Sequence, residues 1–174
     1  MTTPMPHPLP TDAVFLPAGV TGLPVGAERS VQRCAACGQL LSPLDAAPDC
    51  PTCGGLLEII HRAPVDEFNA PLSADAIKHR FSQHCCAMPM GHASGVWRFE
   101  SIVMPGAGEA IVSHPEGNTP LLSRAAISKY TGCDGLLIKH EGHNPTGSFK
   151  DRGMTVGTTQ AVRIGASAVA CAST

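Results

Sequence analysis

The sequence predicts an α/β chain in two parts, a small four-cysteine module followed by the opening of a parallel-sheet domain. Three observations lead there. Two Cys-x-x-Cys pairs stand close together early in the chain. Between positions 135 and 171 an apolar run, a Gly/Pro loop, a helical stretch and a second apolar run follow one another. The composition, 43% hydrophobic and 15% charged, belongs to a globular protein rather than a disordered one.

A length of 174 residues suits one domain, or one domain with a small appendage. With aromatics at 4%, the core must be built mainly from Leu, Ile, Val and Ala. The formal net charge of -2 gives no electrostatic reason to expect nucleic acid or an anionic membrane as partner. No apolar run approaches the ~20 residues that cross a bilayer. Residues 1–10 carry no Lys or Arg, so they do not read as a signal peptide and a cytoplasmic location is expected. In a reducing compartment, cysteines hold metal or stay free more often than they pair.

Residues 1–30 contain six prolines and no helical or strand period, and are expected to form an extended arm. Residues 31–62 form the cysteine module, closed by a strand over residues 56–60. Residues 63–110 connect. There Ser73 N-caps a helix reaching Gln83, with Ile77 and Phe81 one turn apart on one face. Val96-Trp97-Arg98-Phe99 reads as a short anchored stretch. From 111 to 174 the rhythm is α/β. A helix over residues 124–130 is stopped by Gly132, and residues 135–139 suit a strand buried on both faces. A helix over 149–164 ends at Gly165, and residues 168–171 start another strand. Strand, loop, helix and strand make one βαβ unit.

The densest chemical text is His140-Glu141-Gly142-His143-Asn144-Pro145-Thr146-Gly147-Ser148-Phe149-Lys150-Asp151-Arg152-Gly153. Ser148 and Asp151 have capping-box spacing, which sets Lys150 in the first helical turn, amid unpaired N–H groups and the positive end of the dipole. Positive surroundings and burial both disfavour an ammonium, and only the free amine attacks an aldehyde. The plainer reading is an ordinary helix start with an exposed lysine.

The segment from Glu141 through Met154 closely resembles the cofactor-lysine segment of threonine synthases, in the tryptophan synthase β-like group of pyridoxal-phosphate enzymes. Glu116-Gly117-Asn118-Thr119-Pro120-Leu121 resembles the opening motif of the same group. Its Gly-Asn-Thr-Pro part is shared with cysteine synthases among others. Gly95-Val96-Trp97-Arg98-Phe99 is similar to the stretch before the catalytic domain, and Cys171-Ala172-Ser173-Thr174 to the strand before a Ser-Thr-Gly-Asn loop near the cofactor ring. The matches run in the family's order.

The resemblance implies a fold type II enzyme converting O-phospho-L-homoserine and water to L-threonine and phosphate. Lys150 would carry pyridoxal phosphate as a Schiff base, with Asn144, Thr146 and Ser148 lining the site. His140 and His143 could meet an anionic substrate, although a loop histidine is more often structural or solvated. The substrate the resemblance implies is a small amino-acid phosphate. Cysteate synthase and threonine dehydratase share the lysine and are the neighbouring alternatives. The family's phosphate cradle lies well downstream of its lysine, and only 24 residues follow Lys150 here. The chain alone is therefore expected to hold the cofactor weakly and not to be a competent catalyst.

Cys34-Ala35-Ala36-Cys37 and Cys50-Pro51-Thr52-Cys53 are two knuckles separated by 12 residues, each followed by a glycine. Four sulfurs brought to one point suit a structural zinc, as in a zinc ribbon. A redox pair would need only one such motif beside a βαβ unit. Cys85, Cys86, Cys133 and Cys171 have no ligand spacing, and His84 and His92 match no metal pattern near them. Ribbons also serve as docking modules. No Lys or Arg lies between Cys34 and Cys53, which argues against a phosphate-binding face but leaves a protein partner open.

Overall fold

The computed structural model describes residues 29–85 and 90–172. Residues 1–28 of the arm, Cys86 and Ser173-Thr174 lie outside the described residues.

The first unit is a three-stranded antiparallel sheet in the order β2-β1-β3, with β1 at Ser30–Cys34, β2 at Leu40–Leu41 and β3 at Leu57–His61. Ser30 pairs with His61 and Cys34 with Leu57, so both knuckles gather at one end of the sheet. Val31 and Ile60 stand opposite each other and are buried, and two residues further along the same face Arg33 and Glu58 form an ion pair. The third strand runs one residue later than the sequence suggested.

Helix α1 spans Ala74–His84. Ser73 caps it as expected, its Oγ accepting from the Ala76 amide at 3.2 Å. The helix is held at its far end by Phe81, whose ring meets Phe99 edge-on with centroids 4.8 Å apart. The chain then tightens into a 3₁₀ turn at Trp97–Phe99 and a one-turn helix α2 at Glu100–Val103. Trp97 is fully buried and centres a small apolar core with Val96, Met104 and Ala107, against which Val103, Ile111 and Val156 pack.

Strand β4 (Leu121–Ser123), helix α3 (Ala125–Thr131) and strand β5 (Leu137–Lys139) follow. Gly132 ends α3 at φ 69°, the left-handed stop its position predicted. Helix α4 runs over Asp151–Arg163 and buries Thr155, Thr159 and Ala161. Thr155 and Thr159, one turn apart, grip the same residue. Thr155 Oγ1 donates to the Val112 carbonyl at 2.6 Å, and the Val112 amide donates to Thr159 Oγ1 at 3.0 Å. At its C-terminal end α4 meets the first sheet's unit, where Gln160 Nε2 donates to the Pro43 carbonyl at 2.6 Å.

Two expectations are corrected here. Strand β5 pairs antiparallel with β4, Leu121 opposite Lys139, and has no parallel neighbour among the described residues. Leu137 is 54% exposed, so β5 is not buried on both faces. Residues 168–171 form no strand, and Val169 is 68% exposed. An apolar run becomes a strand only when another chain segment takes its N–H and C=O groups, and none of the described residues does so.

Candidate active site and cysteine cluster

Lys150 is exposed and stands at the N-cap position of α4, one residue ahead of the first helical one. The burial expected for it is not found. Before α4 the chain makes two tight turns, the Asp151 amide donating to the Ser148 carbonyl and the Arg152 amide to that of Phe149. Ser148 Oγ accepts from the Lys150 amide at 3.2 Å, so its hydroxyl caps the turn rather than the third helical amide. Asp151 does not reach back to Ser148 as a capping box would. Gly147, at φ 76°, folds the loop so that Thr146 lies over the first turn, and the Asp151 carboxylate accepts from the Thr146 amide and hydroxyl instead. Those two donors lower the Asp151 pKa below the usual carboxylate range.

The loop ahead of Lys150 is fixed by a polar network. Asn144 is buried with both ends of its amide in use. Its Oδ1 accepts from the Gly117 amide at 2.9 Å, and its Nδ2 donates to the Glu141 carbonyl and carboxylate at 2.8 and 2.9 Å. Glu141 faces Arg152 in a two-pronged pair, Nε to Oε2 at 2.8 Å and Nη2 to Oε1 at 2.9 Å. The Thr119 hydroxyl adds a third donor at 2.7 Å. Arg152 first, and then Thr119, hold the Glu141 carboxyl down at about 2. The Lys139 ammonium donates to the Thr119 carbonyl at 2.7 Å. The His140 and His143 rings meet edge-on, 4.6 Å between centroids.

A second carboxylate, this one buried, supports the same region. Glu116 is 1% exposed and accepts from Ser94 Oγ at 2.6 Å, Ser113 Oγ at 2.9 Å and the His114 amide at 2.9 Å. The backbones of Gly95 and Gly117 touch here, and a Cβ on Gly95 would fall 1.9 Å from the Asn118 nitrogen. Of the lysine-segment residues, sequence reasoning singled out Lys150, Asn144, Thr146 and Ser148 and gave no role to Glu116, Glu141 or Arg152. The available signal was the placing of charged residues next to the motif glycines, where close backbone approach leaves room for a partly buried ion pair.

The four cysteine sulfurs of Cys34, Cys37, Cys50 and Cys53 lie within 4.8 Å of one another, and no other such cluster occurs among the described residues. The Cys34–Cys53 and Cys37–Cys50 sulfurs are 3.5 and 3.7 Å apart. Gly38 and Gly54 close the knuckles at φ 77° and 70°, their amides returning to the carbonyls of Cys34 and Cys50. Gly55 is required by contact, since a Cβ there would lie 2.9 Å from the Cys34 sulfur. The Cys37 amide draws the Cys34 thiol down to about 6. The Gly55 amide favours the Cys53 thiolate, but the neighbouring sulfurs of Cys37 and Cys34 and burial outweigh it, and that thiol is pushed up to about 12. Crowded sulfurs without a cation cannot all ionise.

Residues 112–174 match the family model described as pyridoxal-phosphate dependent enzyme. The chain is 40% identical over 144 residues to a threonine synthase of Methanocaldococcus jannaschii, covering 83% of this chain and 32% of that protein. It is 35% identical over 142 residues to one from Methanosarcina acetivorans, covering 82% of this chain and 31% of that protein. With a threonine synthase of Synechocystis it shares 54% identity over 65 residues, 37% of this chain and 17% of that protein. The chain thus spans about a third of the length of the two archaeal relatives. Over residues 112–174 the chain is thus similar to the pyridoxal-phosphate-dependent enzymes. The two relatives that match it over more than four fifths of its length are threonine synthases. No helix of the described residues is long and apolar enough to cross a membrane.

Proposed function

We propose that Lys150 is the cofactor lysine of a cytoplasmic threonine synthase, acting in threonine biosynthesis on O-phospho-L-homoserine. The observation that carries this is its position. Lys150 is exposed at the head of α4, on a loop pinned by Asn144 to the Gly117 amide, within the stretch that matches the family. The residues fit a covalent anchor. The amine is accessible, the first-turn amides leave a positive end beside it, and the Ser148 hydroxyl stands at the same turn. When bound, pyridoxal phosphate supplies an electron sink for negative charge arising on the amino-acid carbons. The Lys150 Nζ would hold the cofactor and, when free of it, would move protons at the amino-acid carbons. Asn144 and Thr146 serve by shaping the loop, since their side chains bond to Gly117, Glu141 and Asp151.

The same reading gives the four cysteines a structural zinc, with residues 31–62 as the module it stabilises. A Zn–S bond of about 2.3 Å in a tetrahedron sets sulfurs about 3.8 Å apart. The observed 3.5 and 3.7 Å are close to that spacing.

Borohydride trapping of pyridoxal phosphate, followed by peptide mapping, tests the lysine. The chain has four lysines, Lys78, Lys129, Lys139 and Lys150. Selective reduction at Lys150 is expected. Labelling spread evenly between Lys150 and the exposed Lys129 would defeat the reading.

A further inference from the structure

We propose that Glu141 and Arg152 form a positioning clamp that sets the Lys150 loop against residues 117–119. The inference deepens the reading of Lys150 as cofactor lysine and rests on it. The two residues are 11 apart and bracket the loop, Glu141 opening it and Arg152 following Lys150 by two positions. Joining them closes the loop at both ends, which removes much of the freedom that would otherwise carry Lys150 away from one place.

A lone ion pair with side chains 30% and 28% exposed would contribute little. This one differs in two ways. The fork geometry fixes direction as well as distance, because both Arg152 donors meet both Glu141 oxygens. The pair is also tied into a neighbouring segment. Thr119 Oγ1 donates to Glu141 and accepts from Arg152 Nη2 at 3.1 Å, and Asn144 links the same carboxylate to the Gly117 amide. Gly117 completes the fit, since a Cβ there would lie 2.9 Å from Arg152 Nη1. The guanidinium is thus packed on the backbone of the segment that the loop must face. Neither residue is assigned contact with substrate or cofactor; both act through where they hold Lys150.

The test uses the 174-residue chain with Glu141→Gln and Arg152→Lys, which keep size or charge but lose the fork. Two readouts are taken: amide hydrogen exchange by mass spectrometry, and the ratio of Lys150 to Lys129 labelling by pyridoxal phosphate and borohydride. Exchange in peptides covering 113–119 and 141–150 should quicken roughly tenfold, the loss expected of charged hydrogen bonds, while peptides of β1 and β3 stay as they were. The labelling ratio should fall severalfold. Unchanged loop exchange in both variants overturns the clamp, and so does faster exchange with the labelling preference intact. Should Glu141→Gln fail to fold, Arg152→Lys is read by the same criteria. A wild-type chain with no preference for Lys150 sinks the cofactor reading instead, and the exchange data alone then decide the clamp.

Discussion

Thr155→Val removes one hydroxyl that joins three segments of the chain. In the native structure Trp97 Nε1 donates to Thr155 Oγ1 at 2.7 Å, across 58 positions of sequence, and the same oxygen donates onward to the Val112 carbonyl. Valine fills almost the same volume, so packing around α4 is kept and the change is mainly polar. Trp97 is fully buried, so its indole N–H cannot turn to water, and stranding it costs about 1–3 kcal/mol. Val112 is 39% exposed, so its carbonyl can be rehydrated, adding about 1 kcal/mol or less. The sum, about 1–4 kcal/mol, is a large share of the ~5–15 kcal/mol that holds a domain together. Urea unfolding followed by tryptophan fluorescence reads it directly, because Trp97 is the chain's single tryptophan and is itself the donor. Thr155→Ser, which retains the hydroxyl, should lose about half as much or less. A Thr155→Val midpoint matching wild type within ~0.5 kcal/mol, the range of ordinary surface changes, would refute the claim that this bond couples the Trp97 segment to α4.

Two further outcomes follow from the carboxylate and the sulfurs. Glu141 titrates near 2 when folded and in the ordinary carboxylate range, about 4.3, when unfolded. Its contribution is therefore complete above the unfolded value and is lost as pH falls toward 2, so melting temperatures should drop through that window and Glu141→Gln should drop less steeply. Thermal melts by circular dichroism at about pH 5, 4 and 3 measure this; parallel curves for the two proteins would count against the pairing. The reduced chain should take up one zinc with four cysteine ligands, and Cys34→Ser or Gly55→Ala should weaken it, the latter because the new Cβ meets the Cys34 sulfur. Chelation should speed exchange in β1 and β3 without altering Lys150 labelling; metal analysis finding no zinc in freshly reduced protein would remove it from the account.

Much of the local structure could be read from the sequence. The Ser73 cap, the Gly132 stop, the knuckle glycines and the anchoring of the stretch at Trp97 each follow from one residue's own chemistry and its near neighbours. What could not be read were the choices among partners. The Ser148/Asp151 spacing indicates a carboxylate at the start of a helix but not which donor it meets, and the left-handed turn at Gly147 hands it Thr146. Apolar runs at 135–139 and 168–171 look alike on paper. One finds a neighbour in β4 and pairs antiparallel to it, while the other has none among the described residues.

The buried polar groups explain why so small an apolar core can hold so defined a loop. Only a handful of apolar side chains surround Trp97, yet three motif segments converge beside it: Ser94 and Gly95, residues 116–119, and the lysine loop with α4. Each contributes a group that another must satisfy. Ser94 donates to Glu116, Gly117 to Asn144, Thr119 to Glu141, and Trp97 to Thr155. A buried carboxylate or amide tolerates few replacements, because an unmet partner costs more than the bond itself contributes. The motif residues are therefore constrained twice, once by whatever chemistry Lys150 performs and once by the frame that locates it. Several of the letters by which the segment resembles the threonine synthases belong to the frame: in 141–152, Glu141, Asn144, Thr146, Asp151 and Arg152 bond through their side chains to protein, and Lys150 stands exposed among them.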